Sequence, residues 1–106
     1  MAWIVLFAAG LLEVVWSVGM KLSFGFTRPI ASVVTIAAMV GSVVLLSFAM
    51  RSIPLGTAYT VWTGIGAVGA FAAGVLLLGE DANALRLLAA AVIIAGLVLM
   101  KIASPA

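Results

Sequence analysis

Residues 2–20 read AWIVLFAAGLLEVVWSVGM, an apolar run broken by one charge at Glu13 and closed by Lys21. A membrane-crossing helix needs about 20 predominantly apolar residues, and this stretch supplies them. Working outward, the pattern returns three more times, giving expected spans over approximately residues 2–21, 29–50, 56–78 and 84–102. Ser23-Phe24-Gly25-Phe26-Thr27-Arg28-Pro29 and Arg51-Ser52-Ile53-Pro54-Leu55-Gly56 separate them with Gly and Pro breakers. Gly79-Glu80-Asp81-Ala82-Asn83 carries acidic and Asn residues suited to a turn and a helix start. In the fourth span only 14 uncharged residues lie between Arg86 and Lys101, so both side chains are expected to snorkel to the interfaces. The expected fold is an all-α integral membrane protein with four transmembrane helices, one domain over residues 1–106.

Composition excludes the other broad classes. Of 106 residues, 67% are hydrophobic and 8% charged, and the mean hydropathy is +1.45. Soluble domains are about 25% charged, and disorder needs low hydrophobicity. With no Cys and no His, disulfides, thiolate metal sites and the usual proton shuttle are absent. No metal or other cofactor is implied. A net charge of +2 from so few ionised residues does not argue for nucleic acid. The N-terminus lacks the basic region of a signal peptide, and Glu13 interrupts its apolar stretch.

Glu13 is the most informative residue. It lies about 18 Å from the start of its span and about 12 Å from Lys21, at about 1.5 Å per residue. That is near the middle of a hydrocarbon layer about 30 Å thick. A charge there costs about 2.5–3.5 kcal/mol or more, and an intramembrane acid is a functional site by default. No other expected span has a charge at mid-depth to pair with it. A carboxylate that takes either a proton or a cation, never both, is an exchange device. Residues three or four away share its helical face: Ala9, Gly10, Trp16 and Ser17. Trp16 lies too deep for an interface anchor, which leaves core packing or an aromatic wall for a cation.

The third span repeats the theme. Tyr59, Trp62, Thr63, Gly66 and Ala70 form one helical stripe. Tyr59 reads either as a site residue or as an interface anchor. Gly66, Ala70 and Gly74 suit close helix packing, and Gly64-x-Gly66 is where the helix could bend. Ser42 is a mid-depth hydroxyl of the second span, a weak signal alone because serine often bonds to its own helix. In the fourth span, Ala91, Ala95 and Gly96 suit a dimer face as well as a lipid-facing one.

Four short helices can hardly enclose a path that opens to two sides in turn, and a homodimer would supply the second half. Arg51 and Lys101 fall on the side of the termini; Lys21, Arg28 and Arg86 fall on the other. Two against three is almost no bias under the positive-inside rule, so both orientations are expected and the homodimer is expected to be antiparallel.

Along its whole length the chain resembles the small multidrug resistance family. The resemblance rests on Glu13-Val14-Val15-Trp16, Gly25-Phe26-Thr27-Arg28, Pro54-Leu55-Gly56-Thr57-Ala58-Tyr59 with Trp62-Thr63-Gly64-Ile65-Gly66, and Gly96-Leu97-Val98-Leu99-Met100-Lys101. Trp16 after Glu-Val-Val, together with Lys101, is similar to the guanidinium-exporter branch. The resemblance implies a secondary active transporter, not an enzyme: proton-coupled export of guanidinium by an antiparallel homodimer in a bacterial inner membrane. It implies Glu13 as the shared proton and substrate site, lined by Trp16, Ser42, Tyr59 and Trp62, with Ser42 and Trp16 bonding the carboxylate. It also implies a hinge at Gly64 and Gly66. Ser17 departs from the family, where many relatives carry Ala. Guanidinium suits such a site, being flat and weakly hydrated, able to meet a carboxylate through two N–H groups and to stack on aromatic faces.

The nearest alternative is a broader exporter of quaternary ammonium and other small drug cations on the same site. A proton-carrying rotor subunit also needs an intramembrane acid, but typically on the second of two spans. A helper subunit of a heterodimer would show no transport alone. Without His, Cys or a second mid-depth acid, the usual intramembrane hydrolase sites cannot be built.

Overall fold

The computed structural model describes residues 1–104. Four helices follow one another: α1 (Ala2–Leu22), α2 (Pro29–Ala49), α3 (Leu55–Leu78) and α4 (Ala84–Ala103). At about 1.5 Å per residue, lengths of 20 to 24 residues match a hydrocarbon layer about 30 Å thick. All four are apolar enough to cross a membrane, and the chain is a multi-pass membrane protein.

The boundaries follow local chemistry. Pro29 opens α2, where its missing N–H costs nothing. Pro54 stands just before α3. Gly79 ends α3 in the left-handed region (φ 69°), a conformation only glycine adopts cheaply. Asn83 caps α4 by accepting from Arg86 N–H through its side chain, 2.9 Å. The cap lies before Arg86, so the fourth helix starts ahead of its first basic residue and continues past Lys101. Both cations then find aromatic faces: Arg86 lies over Phe71 at 4.8 Å and Lys101 over Trp3 at 4.8 Å.

α1 packs against both α2 and α3, whereas α4 meets only α3 at backbone distance and buries no residue. Leu6, Ala9, Leu46, Ala49, Ile53, Ala58 and Val61 form the apolar core. They gather at the end of the bundle holding the N-terminus and the α2–α3 connection. So small a core is what a bilayer permits, since lipid tails are as apolar as leucine and close packing, not exclusion of water, joins the helices. Glu13 lies beyond this core, about one helical turn past Ala9.

Candidate functional site

Glu13 sits half-buried on α1 and faces α3. Gly66 is its direct neighbour: a Cβ at that position would overlap the carboxylate. The absence of a side chain at 66 is therefore what lets the acid occupy the α1–α3 seam. Oε1 of Glu13 is buried and has no hydrogen-bond partner among the described residues, and the same holds for Nε1 of Trp16, one turn further along α1. A buried carboxylate oxygen and a buried indole N–H left unmade are each costly. The carboxylate oxygen can accept from a ligand with N–H groups, and the Trp16 ring can cover a flat cation; the indole N–H, a donor only, calls for a separate acceptor.

One turn the other way, three helices are stitched together. The Ser42 hydroxyl on α2 is fully buried and donates to the Ala9 carbonyl on α1 at 2.7 Å. It accepts from Nε1 of Trp62 on α3 at 2.9 Å. Trp62 in turn meets Tyr59, with ring centroids 5.4 Å apart and planes tilted by 49°. Ser42, Trp62 and Tyr59 thus form one connected group, whose indole is oriented by a hydroxyl and whose hydroxyl is anchored to backbone. Tyr59 lies at its exposed edge.

The bonding implied by the resemblance differs here. The single Ser42 proton goes to Ala9, so in this conformation Ser42 does not donate to Glu13, and Trp16 makes no bond to the carboxylate. Ser17, whose hydroxyl stood out in the sequence, turns back to the Val14 carbonyl at 2.8 Å. Its bonding capacity is spent within α1. α3 runs unbroken through Gly64 and Gly66. Gly64 faces Leu97 of α4 as Gly66 faces Glu13, so each accommodates a neighbouring helix.

Sequence reasoning missed the Ala9 carbonyl, because a backbone acceptor leaves no mark on residue type. It also missed the surroundings of Glu80. The Glu80 carboxylate lies against Gly74 and pairs with Arg86 at 3.9 Å.

Residues 1–103 match the family described as Small Multidrug Resistance protein. The chain belongs to the small multidrug resistance family. Similar members of that family include a guanidinium exporter of Citrobacter freundii, 58% identical over 98% of this chain and 99% of the relative. A guanidinium exporter of Salmonella typhimurium (strain LT2) is 56% identical over the same shares, and one of Proteus vulgaris is 54% identical over 98% of this chain and 100% of its own length.

Proposed function

We propose that this member of the small multidrug resistance family is half of a guanidinium exporter, a secondary active transporter that exchanges guanidinium for protons across a bacterial inner membrane. The observation that carries the reading is Glu13: a mid-span carboxylate with a buried, unpartnered oxygen, able to accept from the N–H groups of guanidinium. Full-length relatives named as guanidinium exporters support the choice of cation.

In this reading Glu13 holds a proton or guanidinium in turn, and the exclusion of one by the other couples their movements. Trp16, Ser42, Tyr59 and Trp62 line the bound cation. Ser42 holds the Trp62 indole in place through the bond already described, and aromatic faces cover the guanidinium plane. Gly64 and Gly66 are the positions where α3 would bend between the two access states, since neither has a side chain to move.

A second, oppositely oriented copy completes the site. At backbone distance α4 meets neither α1 nor α2, so the four helices of one chain do not close around Glu13. α4, with no residue buried against its own chain, is the face offered for that contact.

The test is guanidinium uptake by proteoliposomes under an imposed pH gradient, with Glu13→Gln alongside. Gradient-driven accumulation by the wild type and none by Glu13→Gln is expected. Equal accumulation by both would reject Glu13 as the exchange group, and accumulation of quaternary ammonium in preference to guanidinium would select the broader drug exporter.

A further inference from the structure

A second guanidinium-binding arrangement stands at the end of the bundle where α1 finishes and α4 begins, and a guanidinium already occupies it. The group belongs to Arg86. The Glu80 carboxylate approaches it at 3.9 Å, the Asp81 carbonyl accepts from its Nη1, and the Phe71 ring lies beneath it at 4.8 Å. A carboxylate, a carbonyl and an aromatic face are the three partners that a free guanidinium seeks.

Local structure puts these groups together. The left-handed turn at Gly79 folds the chain back, so that Glu80 N–H donates to the Gly74 carbonyl at 3.0 Å and the carboxylate lies against α3. The Asn83 cap fixes the first turn of α4 and with it the base of Arg86. Phe71 comes from α3.

The arrangement opens onto a cleft of about 300 Å³ lined by Ser17, Lys21, Ala70, Gly74, Glu80 and Arg86, among others. On α1, residues 13, 17 and 21 lie on one face, as do residues 66, 70 and 74 on α3. The cleft is therefore the continuation of the Glu13–Gly66 seam toward the water, beginning about 6 Å along α1 from Glu13. Glu80 and Arg86 are 42% and 41% exposed, so their pairing is solvated, weak and open to exchange. Lys21 lines the same cleft. Moving Arg86 away leaves the Glu80 carboxylate facing the cleft.

We propose that Glu80, the Asp81 carbonyl and Phe71 form an outer guanidinium site at the mouth of the Glu13 seam, with the Arg86 side chain as its built-in occupant, which the exported cation displaces on its way through. The proposal rests on the export reading, since it assumes that guanidinium travels this seam. Its test is separable from that reading.

Full-length Glu13→Gln protein in nanodiscs, with its central site silenced, is titrated with guanidinium chloride while the Arg86 Nε–Hε signal is followed by NMR. Sodium chloride at equal ionic strength is the control. A saturable shift with guanidinium and none with sodium is expected, and adding Glu80→Gln should remove the saturation. By calorimetric titration, which does not need the Arg86 signal, Glu13→Gln with Arg86→Ala should bind guanidinium more tightly than Glu13→Gln alone, because the competitor is gone. Equal shifts with both salts, saturation that survives Glu80→Gln, or no gain from Arg86→Ala would overturn the outer site. Wild-type uptake that depends on Glu13 would leave the export reading standing through any of those failures. Conversely, a saturable guanidinium shift without any wild-type transport would uphold the outer site and reject the export reading.

Discussion

The indole of Trp62 donates to the Ser42 hydroxyl at 2.9 Å, joining residues of α3 and α2, and Ser42 passes its own proton to α1. One serine thereby fixes the relative placement of three helices. Ser42→Ala should leave a buried indole N–H without its acceptor, at a cost of about 1–3 kcal/mol. Denaturant unfolding in micelles would measure the loss. Ser42→Thr keeps the hydroxyl and should retain more of the wild-type stability than Ser42→Ala. Unfolding unchanged by Ser42→Ala would mean that the bond contributes nothing.

Gly66 separates a packing role from a general glycine effect. Gly66→Ala sets a methyl group against the Glu13 carboxylate; overpacking of this kind costs about 1–3 kcal/mol. Transport should fall with it. Gly56, in the first turn of α3, has nothing within 4 Å of an added Cβ, so Gly56→Ala should be tolerated. Comparable loss at both positions would argue against Glu13 as the cause.

Competition at Glu13 fixes the sign of the pH effect. If a proton and guanidinium use the same carboxylate, as proposed, apparent affinity should fall as pH drops below the carboxyl's own pKa, by up to about tenfold per unit for one competing proton. Above it, affinity should level off. Glu13→Gln should abolish both the coupling and this slope. Calorimetric titration with guanidinium over a pH series measures the curve, and wild-type affinity that rises on acidification would contradict shared occupancy.

The near-balance of basic residues, two against three, predicts insertion both ways. A cysteine appended to the C-terminus should be labelled by a membrane-impermeant reagent in only part of the population of intact cells. Adding two lysines to the α2–α3 connection should shift the population toward the orientation with that loop in the cytoplasm. Near-complete labelling or near-complete protection of the unmodified arrangement would rule out dual insertion.

Glu13 was legible because a lone acid inside an apolar run has no cheap location in a bilayer. The four-helix pattern was legible for the same reason: length and hydropathy are properties of residue type. What escaped is set by pairs that residue type does not announce. Ser42 could have bonded its own helix, as Thr35 does with Ala31 at 2.7 Å, yet it reaches Ala9 instead. The shortness of the fourth span was likewise illusory. Arg86 and Lys101 read as its flanks, but their long stems let both belong to the helix while their charges rest on Phe71 and Trp3. The pairing of Glu80 with Arg86 depends on the turn at Gly79, whose direction no spacing rule supplies.

Every buried residue among those described precedes α4, the last of them being Gly74. Synthesis runs from the N-terminus at roughly 5–20 residues per second, so the contacts that bury residues among α1, α2 and α3 can all form while the final helix is still in the ribosome. The seam around Glu13 can thus take shape before that helix arrives. The fourth helix enters the bilayer after these three and settles against α3 with no residue fully buried, so much of its surface stays open. In the proposed homodimer, choice of companion would then be a post-translational event, governed by how many finished chains of each orientation the membrane already holds.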